Sequence, residues 1–155
     1  MKLERTHEAY DLWISGEAVF AGKIVYEQLP VQERPLWAAR LLSRCAKLIP
    51  SIASVEKVIE VALTPSLWPT AREVFDAVQM LTLKNERQSA PSSLYQPVLY
   101  LAENVAKVTY NATGLSAPYD HNSGWKIVEI VRQIVDQVKK SEFESEVWNL
   151  ILKTN

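Results

Sequence analysis

The chain has 155 residues, 48% of them hydrophobic and 23% charged, which is the balance of one ordinary folded domain rather than of a disordered chain. Seventeen basic against eighteen acidic residues leave a formal charge of -1, excluding a global field for nucleic acid or an anionic membrane, and the single Cys45 excludes an internal disulfide or a Cys-rich zinc site. No apolar run approaches the roughly 20 residues of a spanning helix and no secretory leader pattern opens the sequence, so the expected setting is the reducing cytoplasm.

Four glycines, at 16, 22, 114 and 124, and eight prolines punctuate apolar stretches of helical period. The first helix starts at Thr6, carries Ala9, Leu12 and Trp13, and stops at Gly16. A second, with Val19, Phe20, Ile24 and Tyr26, runs to Leu29 before Pro30. Pro35 suits the first turn of a third, whose face Leu36, Trp37, Leu41, Leu42, Cys45, Leu48 and Ile49 ends at Pro50. Ile52, Val55, Val58, Ile59 and Ala62 mark a fourth, capped by Ser51 or Ser54 and closed by Thr64 and Pro65. Thr70 and Glu73, at capping-box spacing, open a fifth that reaches about Arg87.

After a polar connector at 88–92, the most regular stretch of all follows: Leu94, Val98, Leu101, Val105, Val108 and Ala112 step by four and three. This predicts a central sixth helix from Ser93 or Gln96 to about Thr113. Leu115 to Gly124 has no period and reads as a loop. A seventh helix places Ile127, Ile130, Val131, Ile134, Val135 and Val138 on one face, because a strand of period two would bury Glu129 or Arg132. Ser141 and Glu144 repeat the capping-box spacing and start an eighth with Phe143, Val147, Trp148, Ile151 and Leu152. The pair Leu-Trp at 12, 36 and 67 recurs at unequal separations of 24 and 31, which excludes a solenoid repeat. The expected fold is one all-α domain over residues 1–155, an array or bundle of seven to eight helices with the sixth and seventh at its core.

Polar and aromatic residues concentrate at one place. Glu103, Lys107, Tyr110 and Asn111 share a flank of the sixth helix with Tyr100 and lead into a loop holding Tyr119, Asp120, His121 and Asn122. If the loop folds back, Glu103, Lys107, Tyr110, Asn111, Asp120 and His121 converge on a candidate ligand site, with Glu103 orienting His121 as a general base. The plainer reading is structural: Glu103 and Lys107 form a helix ion pair worth roughly 0.2–0.5 kcal/mol. In that reading Asp120 or Asn122 caps the seventh helix and Gly114 ends the sixth.

A second candidate surface is a basic stripe, Arg40, Arg44 and Lys47 with Arg34 before it, which reads first as a solvated helix face and second as a surface for an acidic protein partner, while residues 1–29 and 141–155 lean acidic. Nucleic acid is the poorer fit, since no groove-reading motif or interleaved aromatics accompany the stripe. Trp68, in a Pro-flanked turn, is an interface anchor if exposed and a helix-end plug if packed. Two distant histidines and one cysteine suit no metal, and no phosphate loop or nucleophile elbow occurs, so no cofactor and no catalytic residue is expected. Cys45 falls on an apolar face, as a buried hydrophobe does, and the glycosylation triplet at Asn111 has no exported setting to act in.

The block Tyr100-Leu101-Ala102-Glu103-Asn104-Val105-Ala106-Lys107-Val108-Thr109-Tyr110-Asn111-Ala112-Thr113-Gly114, with Ala117-Pro118-Tyr119-Asp120-His121 and Gly124-Trp125, resembles small uncharacterised bacterial all-helical proteins. The resemblance covers about a sixth of the chain, brings no activity with it and implies a bacterial origin. The favoured function is a cytoplasmic protein-interaction module: an adaptor, an inhibitor or an immunity-type partner. The alternatives are a small-ligand protein or enzyme using the cluster at 103–121, and a subunit of a larger assembly recognisable by exposed tryptophans.

Overall fold

In the computed structural model, which describes residues 1–87 and 94–154, the chain runs through eight helices. They are α1 (Thr6–Ile14), α2 (Ala18–Tyr26), α3 (Arg34–Ala46), α4 (Ala53–Leu63), α5 (Ala71–Arg87), α6 (Tyr95–Asn111), α7 (Ser123–Val138) and α8 (Ser141–Leu152). Short 3-10 turns at Val31–Glu33 and Pro65–Thr70 lead into α3 and α5, and the described residues contain no strand. The fold is the all-α single domain that the periodicity predicts.

The regular α6 is the centre. It packs against α3, α4, α5 and α7, and eleven of its seventeen residues are buried, so it is covered nearly all round. The β-branched face of α7 is helical as expected, with Ile127, Val128, Ile130, Val131, Ile134 and Val135 buried; burial of that stripe outweighs the weak propensity of its residues. Trp37 ties α3 to α8 by donating its indole N–H to the Ile151 carbonyl at 2.9 Å.

The crossing of α2 and α7 is set by two glycines. A Cβ built on Gly22 would lie 2.6 Å from the Trp125 carbonyl oxygen, and one on Gly124 2.2 Å from the Tyr26 ring. Backbone therefore touches backbone and ring, and the buried face of α2 consists of Ala18, Ala21, Gly22, Val25 and Tyr26. Arg34 stacks on Tyr26, 4.4 Å from the ring centroid, and closes that edge.

Helix ends differ from the sequence reading in informative ways. Gly16, at φ +88°, follows the cap Ser15 and does stop α1, whereas α6 ends at Asn111 with Ala112 as its cap, short of Thr113, and Gly114 at φ +71° lies in the turn beyond. The side-chain caps are replaced by backbone ones. Ile52 holds the position before α4, so neither Ser51 nor Ser54 caps it. The Thr70 hydroxyl donates back to the Leu67 carbonyl at 2.6 Å, completing the 3-10 turn instead of the capping box. Ser141 is the first helical residue of α8, and its expected partner Glu144 accepts a 3.0 Å hydrogen bond from Arg132. The helix after residue 16 ends at Tyr26 rather than Leu29, and α3 ends at Ala46 rather than near Ile49, both tightening into turns. The connector at 88–92 and the Ser93 start of the sixth helix lie outside the described residues; α6 begins at Tyr95, with Pro97 in its first turn where no intrahelical donor is needed.

Gly22→Ala tests the crossing. The methyl meets a carbonyl that cannot swing aside, so denaturant unfolding should show a loss of about 1–3 kcal/mol, the range for overpacking a dense interior.

Candidate functional site

The loop after α6 does fold back, but onto α5 and α6 as a staple. Asn111 uses both ends of its amide: its Oδ1 accepts from the Tyr119 N–H at 2.8 Å and its Nδ2 donates to the Tyr119 carbonyl at 3.0 Å. Tyr110 donates its hydroxyl to the Ser116 carbonyl at 2.8 Å. Arg72, from α5, donates to the carbonyl of Ala117 and lies over the rings of Tyr110 and Tyr119, 4.4 and 5.1 Å from their centroids. Ala117 is held at φ +58°, a conformation a non-glycine residue adopts at a cost of about 1–2 kcal/mol, and these contacts hold it there. Phe75 packs on Tyr119 at 5.0 Å, and the Lys107 ammonium lies over both rings, at 5.4 and 6.0 Å.

The six candidate ligand residues thus fall into separate environments. Lys107, Tyr110 and Asn111 meet the loop at Tyr119. Asp120 caps α7 with its backbone carbonyl, which accepts from the Ser123 N–H at 3.1 Å and hydroxyl at 2.8 Å, while its carboxylate is exposed. Asn122 holds the cap position of α7 without a side-chain bond to the helix. His121 is exposed and stands edge-on to Trp125 at 5.5 Å. Among the described residues no hydrogen bond or ion pair joins Asp120 or His121 to Glu103 or Lys107. The expected Glu103–Lys107 ion pair is absent from that set as well, because Lys107 extends over Phe75 and Tyr119 while Glu103 is buried toward Thr82.

Glu103 is the unusual group, 8% exposed with Oε2 buried and unpartnered. Burial raises its carboxyl above the ordinary range; Thr82 and the Lys107 charge act in the opposite direction, and Glu86 adds to the rise. The Thr82 hydroxyl donates to the Val78 carbonyl at 3.0 Å. The Cys45 thiol is pushed up to about 12 by burial, which leaves no thiolate for chemistry. Among the described residues no group of three or more His, Cys, Asp or Glu is placed to hold a metal ion.

The basic stripe turns toward its own chain. Arg44 makes a 2.7 Å ion pair with Glu146 of α8 and stacks on Phe143 at 4.8 Å, and Arg40 donates to the Lys153 carbonyl at 3.2 Å. Lys47 alone of the three is exposed. Trp68 is a plug, not an exposed anchor: it is 7% exposed and donates to the Ala62 carbonyl at 3.0 Å, closing the end of α4. Trp13, Trp37 and Trp148 are buried too, so the exposed tryptophans that would mark an assembly subunit do not occur on those helices.

A surface that the sequence reading missed lies between α1 and α2. It is a groove of about 480 Å³ with Leu12, Phe20 and Ile24 as its apolar part and Glu4, Arg5, Glu8, Lys23, Glu27 and Gln28 around them. Phe20, one of the apolar residues that marked the second helix, is 54% exposed. The signal was Gly22: the small residues of α2 mark the face that packs, and Phe20 and Ile24 fall away from it. Gln28 closes one end, exchanging hydrogen bonds of 2.7 and 2.9 Å with the backbone of Glu4. No family model, curated protein or solved structure matches the chain.

Two outcomes check this description. Because the folded state holds a proton on Glu103 that the unfolded chain releases near pH 4.3, stability is full below that value and falls as pH rises through the raised one. Glu103→Gln should remove that fall, so its urea midpoint gains on the parent's as pH rises above about 4.3. Asn111→Ala should release the loop, costing about 1–3 kcal/mol for the unpaired Tyr119 backbone and raising amide hydrogen exchange at 115–121.

Proposed function

We propose that this chain is a cytoplasmic protein-interaction module whose contact surface is the groove between α1 and α2. The observation that carries the reading is Phe20: a large aromatic side chain left 54% exposed beside Leu12 and Ile24 in a groove of about 480 Å³. The polar cluster at 103–121 supports a ligand or an enzyme less well, since Asn111, Tyr110 and Arg72 are engaged in pinning the loop and Asp120 and His121 stand apart from Glu103. The cytoplasmic setting rests on a single cysteine, buried and unreactive, and a bacterial origin rests on the resemblance of the block at 100–125. No helix among the described residues is long and apolar enough to cross a membrane.

A photo-crosslinking amino acid at position 20, expressed in the native cell, should give discrete protein adducts, whereas the same probe at Met80, 73% exposed on α5, should not. Adducts from 80 alone, or from neither, overturn the reading.

A further inference from the structure

We infer that the groove between α1 and α2 takes a short partner segment carrying a lysine or arginine about 10 Å from a bulky apolar residue, an inference that rests on the interaction reading above. The charges around the groove are not equivalent. Arg5 is taken up by Glu8, to which it donates two hydrogen bonds of 2.8 Å, and Lys23 lies over the Trp125 ring at 4.9 Å. Glu4 and Glu27 are exposed and make no ion pair among the described residues; the Gln28 clamp engages only the backbone of Glu4. Both stand at the end of the groove where α2 finishes, Glu27 directly after its last residue and Glu4 beside Gln28. That end invites a cation. The apolar part lies further along α2, at Phe20 opposite Leu12.

The spacing follows from helix geometry. Residues 20 and 27 are seven apart on or just beyond α2, a separation of about 10 Å at 1.5 Å per residue. A partner matching both features places its cation and its apolar anchor seven residues apart if helical, or three apart if extended at roughly 3.3 Å per residue. Acidic segments and anionic surfaces would meet Glu4 and Glu27 and be repelled.

The test pans a displayed library of random 12-residue peptides against the intact protein, then measures each enriched peptide against Phe20→Asp and against the double variant Glu4→Gln, Glu27→Gln at low and high salt. All three substituted side chains are exposed, and circular dichroism checks that each variant keeps its helices. The expected peptides pair Lys or Arg with an aromatic or long aliphatic residue at a spacing of three or seven. They should bind Phe20→Asp about tenfold or more weakly, and the double variant several-fold more weakly with a flatter salt dependence, as loss of exposed charge pairs dictates. Peptides that need Phe20 but lack a basic residue, or ignore the double variant, overturn the charge inference and leave the groove reading standing. Peptides indifferent to Phe20→Asp, or no enrichment at all, overturn both. A concentration-dependent dimer abolished by Phe20→Asp overturns the inference by showing that a second copy occupies the groove.

Discussion

Where α2 crosses α7 there is no room for a side chain on either helix, since a methyl on Gly22 would meet the Trp125 carbonyl and one on Gly124 the Tyr26 ring. Much of the outer architecture depends on that contact. It fixes which face of α2 is buried, and α1 and α2 pack on one another, so it also sets how the first two helices sit on the core. With Ala18, Ala21 and Gly22 turned inward beside Val25 and Tyr26, Phe20 and in part Ile24 are left on the outside. An exposed aromatic groove and a close-packed glycine contact are two sides of one helix.

A buried polar group is costly without a partner, and several side chains supply one, although the Trp13 indole N–H and the Asn104 Oδ1 stay unpartnered among the described residues. Asn111, Tyr110 and Arg72 satisfy the backbone of an irregular loop that would otherwise carry unpaired groups against α5 and α6. Arg132 likewise stacks on the fully buried Trp13 at 4.8 Å while pairing with Asp136 and Glu144, so one guanidinium joins α1, α7 and α8. Glu103, with Oε2 unpartnered among the described residues, has its carboxyl raised above the ordinary range by burial. The concentration of polar side chains that drew notice in the sequence is for the most part a device for holding a long loop.

Charge is divided in the same way. The basic stripe on α3 faces an acidic element, but that element is α8 of the same chain, where Arg44 finds Glu146. Among the described residues Glu4 and Glu27 have no such partner. The net charge near zero hides this difference between paired and open groups, and only the open ones act on a neighbour.

The sequence by itself determined the helices and the central place of α6, because the 3.6-residue period of Leu94, Val98, Leu101, Val105 and Val108 is a local record of which face meets apolar surroundings. It also determined that Gly16 ends α1, since positive φ is a property of single residues. Capping was less legible: Ser, Thr and Glu at the right spacing announce a cap, yet the Thr70 hydroxyl turned back to Leu67 and Glu144 went to Arg132, partners supplied by the turn and by another helix. What only the tertiary structure decided is which polar and aromatic residues remain open. Arg44, Trp68, Asn111 and Phe20 all read as available surface or core from their spacing, and their fates depend on α8, α4, the loop and α7. Those neighbours lie far away along the chain or across a packing contact, where no periodic pattern reaches.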